Sequence, residues 1–211
     1  MLQRRLLSIC VVTSTIVVAV LAAYRIAAAS SDLDFLFWNL ALAWVPLVAA
    51  LALDDVRSTP LSLHLPLLAV WLAFFPNAPY LVTDLIHIDP QDQTTIGILG
   101  DAALVSVAPA GLALGFSSLM LVERSVRDRF GGRLALSVAV LSLVLASLGI
   151  YLGRVVRLNS WDLLTRPRLV GSVMHQLVLD PLAHPLAVAL TIALAVTLSV
   201  LYLRFRRLAS I

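Results

Sequence analysis

Six long apolar runs, separated by short polar segments, make up most of the chain. They cover Leu6–Ala23, Phe35–Leu53, Leu61–Phe75, Ile96–Val122, Leu134–Leu152 and Leu186–Leu203. A helix needs about 20 apolar residues to cross the hydrocarbon core of a bilayer. The pattern therefore predicts an all-α, polytopic transmembrane bundle of about six membrane-spanning helices. The predicted bundle is a single integral membrane domain over residues 1–211.

The third run is interrupted at its end by Pro76-Asn77-Ala78-Pro79. A residue that precedes proline is disfavoured in the α conformation, so Phe75 and Ala78 are expected to be extended and the helix to break. Irregular backbone at membrane depth is tolerated only where protein or water satisfies its polar groups. The interruption thus predicts a broken third helix beside a buried polar pocket.

An amphipathic segment precedes the last run. Between Leu169 and Val178 the apolar residues recur at helical spacing, with glycine, serine, histidine and glutamine at the other positions. This periodicity predicts an amphipathic helix that lies in the membrane interface.

The distribution of arginine predicts the orientation of the chain. All 15 basic residues are arginines, and with the N-terminus inside ten of them fall on the cytoplasmic side: Arg4, Arg5, Arg57, Arg124, Arg127, Arg129, Arg133, Arg204, Arg206 and Arg207. The others, on the opposite side, are Arg25, Arg154, Arg157, Arg166 and Arg168. Because positive residues concentrate on the cytoplasmic side, both termini are expected to be cytoplasmic.

The composition excludes a water-soluble globular protein. Hydrophobic residues make up 61% of the chain and charged residues 13%, and the mean hydropathy is +0.99. The apolar runs leave no room for a separate soluble domain, so the pI near 9.6 does not indicate nucleic acid binding. The predicted partner is the lipid bilayer, and no nucleic acid partner is expected. Glu123 is the only glutamate, so acid–base chemistry depends on aspartate or histidine.

The first group of candidate residues follows the helix break. Thr83 is a suitable N-cap for a new short helix, which brings Asp84 and His87 to one face. Two interpretations stay open: Asp84 complements the helix N-terminus while His87 lies in the wet interface, or the two form a catalytic, ligand-contacting pair. Asp89 adds a third residue of metal-ligand type, but the spacing matches no recognised metal motif. No metal site and no cofactor are predicted.

The second group of candidates follows the fifth run. If that helix continues for one more turn, Arg154 and Arg157 lie on one face at its outer end, where the positive-inside rule disfavours arginine. Paired guanidinium groups match a phosphate or a carboxylate, which favours an anionic ligand. The alternative is that both arginines are interfacial anchors, with Trp161 in the aromatic belt and Asp162 as an ion-pair partner.

Two Gly-x-x-x-Gly spacings, Gly111 with Gly115 and Gly149 with Gly153, predict helix faces that pack closely. Such faces usually join helices of one bundle, and in some proteins they join two chains. The sequence therefore allows packing within the chain as well as a homo- or hetero-oligomer.

Three motifs, LFWNLALAWVPL at positions 36–47, FFPNAPYLVTDLIHI and GIYLGRVVRLNSWDLL, closely resemble the bacterial integral membrane protein family catalogued as domain of unknown function 1361. The resemblance covers nearly the whole chain and implies a small multi-pass protein of the bacterial cytoplasmic (inner) membrane. It implies no established activity. The motif positions carried onto this chain are Asn39, Pro46, Pro76, Asn77, Pro79, Tyr80, Thr83, Asp84, His87, Gly153, Arg154, Arg157, Asn159, Ser160, Trp161 and Asp162.

Both polar groups fall on the extracytoplasmic side of the predicted topology, so they are expected to form one site. Asp84 and His87 supply acid–base or ion-pairing groups, and Arg154 and Arg157 form an anion clamp. The remaining candidate ligand-binding residues are Asn77, Tyr80, Asn159, Trp161 and Asp162. A shared site requires the carboxylate of Asp84 or Asp162 to lie within ion-pairing distance of one of the two arginines.

The expected function is binding or processing of an anionic, lipid-linked substrate at this site, and the sequence leaves open whether the protein is an enzyme. One alternative is a non-catalytic accessory or assembly subunit of a membrane complex, in which the motifs hold the bundle together. A small transporter is less favoured, because a transport pathway needs polar groups at the membrane midplane and the centres of the runs are apolar.

Overall fold

The computed structural model describes residues 2–55 and 61–209, which are almost entirely helical and contain no strand. The α-helices are α1 (Leu2–Ala28), α2 (Phe35–Asp55), α3 (Leu61–Phe74), α4 (Asn77–Tyr80), α5 (Thr95–Phe130), α6 (Gly132–Tyr151), α7 (Asp162–Thr165), α8 (Pro167–Leu179) and α9 (Pro185–Ala209). A 3₁₀ helix over Leu81–His87 follows α4, and a π-helical turn over Leu152–Val156 follows α6. Arg57, one of the arginines used to predict orientation, lies outside the described residues.

Among the described residues, six helical stretches are long and apolar enough to cross a membrane: Leu2–Ala28, Phe35–Asp54, His64–His87, Thr95–Phe130, Gly132–Val156 and Pro185–Ala209. They follow the apolar runs of the sequence in number and in order. The prediction of an all-α polytopic bundle is therefore confirmed. The amphipathic helix expected before the last span is α8.

Helix α5 is the centre of the bundle. It packs against α1, α2, α6 and α9 and against the broken third span. It is also longer than the apolar run that predicts it, because the helix continues past Val122 to Phe130. The ion pair between Glu123 and Arg127, at i,i+4 spacing, supports this charged extension, and Gly131 ends it with φ 92°.

A buried carboxylate joins the C-terminal part of α5 to α9. Glu123 is 3% exposed, and its Oε2 accepts a hydrogen bond of 2.5 Å from the Tyr202 hydroxyl. Arg206 Nη1 lies 2.9 Å from Glu123 Oε1, which Arg127 also contacts. A buried charge is tolerated only when it is paired, so this network fixes α9 against α5.

The third span breaks at Phe75 and Pro76, as predicted, but the backbone turns instead of becoming extended. The Phe75 amide donates to the Trp71 carbonyl at 2.7 Å, and Ala78 lies within α4. The extended conformation predicted for Ala78 is wrong, because Pro79 occupies the first turn of a short helix, where proline is tolerated. Pro76 and Pro79 both lack an amide hydrogen, so the regular hydrogen-bond ladder of the helix is interrupted there.

The first glycine pair allows α5 to approach this broken segment closely. A Cβ atom at Gly111 would lie 2.4 Å from the Ala78 carbonyl oxygen and 2.8 Å from Leu81 Cβ. A Cβ atom at Gly115 would lie 3.2 Å from Ala78 Cβ. The backbone of α4 therefore lies directly against the glycine face of α5.

The second glycine pair does the same on α6. A Cβ atom at Gly149 would lie 2.7 Å from the Pro76 ring, and one at Gly153 would lie 3.1 Å from the Tyr80 ring. Both Gly-x-x-x-Gly faces thus pack within the chain, around one segment. Of the two possibilities that the sequence leaves open for these spacings, packing within the chain and oligomer formation, the structure shows the first.

Candidate functional site

An ion pair between the third and fifth spans forms the centre of the predicted site. Arg154 Nη2 lies 2.6 Å from Asp84 Oδ1, and the two side chains are 23% and 1% exposed. The predicted convergence of the two motifs is therefore confirmed. It depends on the close packing at Gly149 and Gly153, which makes α6 a direct neighbour of the broken segment.

Neighbouring side chains complete the hydrogen bonding of this pair. Arg154 donates to Thr83 Oγ1 from Nε at 3.0 Å and from Nη2 at 2.6 Å. Asn39, on α2, donates from Nδ2 to Asp84 Oδ2 at 3.2 Å. The guanidinium also lies over the Tyr80 ring, with Cζ 4.5 Å from the ring centroid, in a cation–π contact. Groups of the protein itself therefore engage Arg154 on several sides.

The π-helical turn after α6 separates the two arginines of the predicted anion clamp. Its wider backbone turn leads into Arg157, which has φ 63° and ψ 38° in the left-handed region. Arg154 turns inward to Asp84, whereas the Arg157 side chain is exposed. The prediction that one more helical turn places both guanidiniums on one face is wrong, because that turn is not α-helical.

Asp162 organises the segment that follows α6. Its carboxylate is buried, and Oδ2 accepts a hydrogen bond of 2.8 Å from the Asn159 amide. The ion-pair partner of Asp162 is Arg166, whose Nε lies 3.6 Å from Asp162 Oδ1. Asp162 therefore pairs with neither Arg154 nor Arg157. The turn that Asp162 holds then joins the broken helix, because Asn77 Nδ2 donates to Ser160 Oγ at 2.8 Å.

A cavity of about 510 Å³ lies between α2, α3, α6 and α8, next to the ion pair. This volume is typical of small-molecule sites, which measure about 300–1,000 Å³. Most of its wall is aliphatic and comes from the membrane-spanning helices, with Val170 and Met174 contributed by α8. Its polar and tryptophan side chains are Trp38, Asn39, Asn77, Tyr80, Asn159, Ser160 and Trp161. Among the described residues that line this cavity, none is charged.

A family model described as "Protein of unknown function (DUF1361)" matches residues 38–210, which include the ion pair and every residue of the cavity wall. The chain belongs to the DUF1361 family. The resemblance carried by the three sequence motifs is thereby confirmed. No curated protein and no solved structure matches the chain.

The sequence-predicted site residues of this DUF1361 protein occupy three kinds of position. Those that line the cavity are Asn77, Tyr80, Asn159 and Trp161. Those that form the ion pair behind the wall are Asp84 and Arg154. Those that lie outside the wall are His87, Arg157 and Asp162. The sequence thus predicts one site, whereas the structure places an uncharged cavity beside a separate charged pair.

The structure contradicts the role predicted for Thr83 and gives the surroundings of His87. Thr83 lies inside the 3₁₀ helix, whose N-cap is Tyr80, so the predicted N-cap role of Thr83 is wrong. Its hydroxyl donates instead to the Tyr80 carbonyl at 2.7 Å, because α4 continues directly into the 3₁₀ helix. His87 is exposed, its Nδ1 lies 3.0 Å from the Asp84 carbonyl oxygen, and its ring centroid lies 5.5 Å from that of Phe35. The imidazole therefore contacts the Asp84 backbone and not its carboxylate.

Asn39 and Ser160 are parts of the site that the sequence analysis does not propose as site residues. Both are positions of the DUF1361 motifs, and this was the signal that could have identified them. Their roles depend on contacts across 45 and 83 residues of chain, to Asp84 and to Asn77. Within residues 2–55 and 61–209, no three His, Cys, Asp or Glu side chains form a group that would hold a metal ion.

Proposed function

We propose that this DUF1361 protein binds an anionic, lipid-linked molecule at the extracytoplasmic end of its helix bundle. The observation that carries the proposal is the cavity. Its aliphatic wall belongs to membrane-spanning helices, and its hydrogen-bonding side chains lie where α2 begins and α6 ends. A cavity of this kind suits a molecule with a hydrocarbon chain and a polar headgroup.

The energetics of the two parts of the cavity support this assignment. Burial of apolar surface contributes about 25 cal/mol per Å², so the aliphatic wall favours a hydrocarbon chain. The polar side chains at the other end compensate the desolvation of a headgroup by hydrogen bonding to it. A purely apolar ligand would leave the side-chain amide of Asn159 and the hydroxyl of Tyr80 without hydrogen-bond partners.

The anionic part of the ligand is assigned to Arg157. Arg154 already has a carboxylate partner, Asp84, at 2.6 Å. Arg157 is exposed and lies two residues from Asn159 in the cavity wall, and its guanidinium forms no hydrogen bond or ion pair with any described residue. Its left-handed backbone conformation is one that proteins keep mainly at functional sites and tight turns.

The tryptophans support a position of the cavity mouth at the membrane surface. Trp38 and Trp161 contact each other edge to face, with ring centroids 6.5 Å apart, and are 59% and 38% exposed. Tryptophan is enriched at the boundary between headgroups and hydrocarbon. A ligand that diffuses in the bilayer would therefore meet the mouth of the cavity at its own depth.

The orientation is testable with reporter fusions. Fusions after Arg129 and Arg207 are expected to report the cytoplasm, and fusions after Asp32, Gln91 and Asp162 the extracytoplasmic side, because arginine is biased to the cytoplasmic side. Alkaline phosphatase and green fluorescent protein activities measure the two locations. A result that places Gln91 and Asp162 on opposite sides contradicts a shared site, and one that places both in the cytoplasm contradicts the proposed orientation.

Filling the cavity tests the proposed function directly. Ala73 lines the cavity, so Ala73→Phe is expected to reduce the lipid that stays bound after purification in mild detergent by at least about tenfold, as measured by native mass spectrometry. Val170→Trp fills the same cavity from α8 and gives an independent variant. Ala193→Phe, on an exposed face of α9, is the matched control and is expected to keep the lipid.

Two outcomes of this experiment decide against the proposal. One is a wild-type protein that carries no lipid, which favours the accessory-subunit function. The other is equal lipid content in wild type, Ala73→Phe and Val170→Trp, with unchanged melting temperatures, which places the bound lipid outside the cavity.

A further inference from the structure

We infer that the ligand of this cavity is a glycolipid in which an uncharged glycosyl unit joins the hydrocarbon chain to an outer anionic group. The inference rests on the proposed function and specifies the class of its ligand. The chain lies along the aliphatic wall, the glycosyl unit among the amide and hydroxyl side chains, and the anionic group at Arg157.

No described residue of the cavity wall is charged. This favours a glycolipid over a lipid whose phosphate is attached directly to the hydrocarbon chain. A phosphate next to the chain would enter the cavity and lose its hydration without meeting a cationic partner, which is costly. Arg154 lies behind Tyr80, and Asp84 balances its charge. A hydroxyl-rich unit has no charge to compensate and needs only hydrogen bonds.

The polar side chains of the wall offer both donors and acceptors. Asn77 uses Nδ2 for the Phe74 carbonyl at 3.0 Å and for Ser160 Oγ at 2.8 Å, which leaves its Oδ1 as an acceptor. Ser160 accepts from Asn77 and keeps its own hydroxyl hydrogen to donate. The side-chain amide of Asn159 and the Tyr80 hydroxyl form no hydrogen bond with any described residue. Sugar hydroxyls both donate and accept, so they match this mixed set, whereas a phosphate accepts only.

The aromatic side chains at the mouth of the cavity complement the apolar faces of a sugar ring. A pyranose ring presents C–H groups on its faces, and these pack against aromatic rings. Trp38 and Trp161 line the same cavity as the free amide of Asn159 and leave part of their ring surface exposed. The mouth therefore provides an apolar platform and hydrogen-bonding groups within one site.

Binding of defined lipids to the full-length protein in detergent micelles tests this inference by native mass spectrometry. The probes are a diglycosyl diacylglycerol, the same glycolipid carrying phosphoglycerol on its outer sugar, and phosphatidylglycerol. Both glycolipids are expected to bind at least about tenfold more tightly than phosphatidylglycerol, because the sugar adds hydrogen bonds to the polar side chains of the cavity wall.

Two variants identify the residues that act on each part of the ligand. Asn159→Ala is expected to weaken binding of both glycolipids about tenfold and to leave phosphatidylglycerol binding unchanged. Arg157→Gln is expected to weaken binding of the phosphoglycerol glycolipid alone, about tenfold. Arg168→Gln, an exposed arginine of α8, is the matched control and is expected to change none of the affinities.

The outcomes separate the inference from the function on which it rests. Phosphatidylglycerol binding in the cavity as tightly as the glycolipids, and lost in Ala73→Phe, overturns the glycosyl ligand and retains lipid binding. Equal effects of Asn159→Ala on all probes also overturn it. Failure of every probe to bind the wild-type protein overturns both the inference and the proposed function.

Discussion

Replacement of Arg154 by glutamine is expected to remove most of the folded protein from the membrane. The variant leaves the carboxylate of Asp84, which is 1% exposed, without its cationic partner. Loss of one member of a buried ion pair costs about 3–5 kcal/mol, because the remaining charge stays buried and unpaired. This is a large share of the roughly 5–15 kcal/mol by which proteins are typically stable. Fluorescence-detected size-exclusion chromatography and the melting temperature in detergent measure the effect.

Two further variants control this experiment. The double variant Arg154→Gln with Asp84→Asn removes both charges and is expected to recover part of the lost stability, because an amide pair is less costly to bury than a lone charge. Arg25→Gln removes an arginine that is 59% exposed from its pair with Asp34, which is itself 36% exposed, and it is expected to cost less than about 1 kcal/mol. A melting temperature of Arg154→Gln equal to that of the wild type would contradict a structural role of the pair.

The second large effect is expected at Gly111. A Cβ atom there would lie 2.4 Å from the Ala78 carbonyl oxygen, which is backbone and cannot rotate away as a flexible side chain does. Gly111→Ala must therefore separate α5 from the broken segment. The cost is expected at the upper end of the range for overpacking, about 3 kcal/mol, and it appears as a lower melting temperature and a lower yield of folded protein.

Other glycines of the same chain provide a graded control. A Cβ atom at Gly132, at the start of α6, would meet nothing within 4 Å, so Gly132→Ala is expected to leave the melting temperature nearly unchanged. Gly115→Ala, with its nearest atom at 3.2 Å, is expected to lie between the two. Equal melting temperatures for all three alanine variants would show that the close approach of α4 to α5 is not needed for folding.

Both predictions concern the segment that also shapes the cavity. Pro76, Asn77 and Tyr80 line the cavity on one side, while Ala78 packs on α5. The ion pair and the glycine contacts therefore hold the cavity wall in position from behind. In the proposed function, Asp84 and Arg154 therefore affect ligand binding without touching the ligand.

The amino-acid pattern was enough to predict the six apolar spans, the break in the third span, the amphipathic helix and the family. These features depend on local properties: the length of an apolar run, the absence of an amide hydrogen in proline, and the spacing of residues along one helix. Each of them is complete within a short stretch of chain. For the same reason the glycine spacings predicted close packing, although they did not identify the segment that would pack there.

The contacts between distant residues, in contrast, follow from the packing of the helices. Asn39 lies on α2, and no spacing in the sequence relates it to Asp84, because helices become neighbours through packing and not through their separation in the chain. Arg154, and not Arg157, pairs with Asp84, because a single π-helical turn changes the direction of every side chain that follows it. The uncharged cavity is likewise a property of the space between helices, which exists only after four of them and the broken segment have come together.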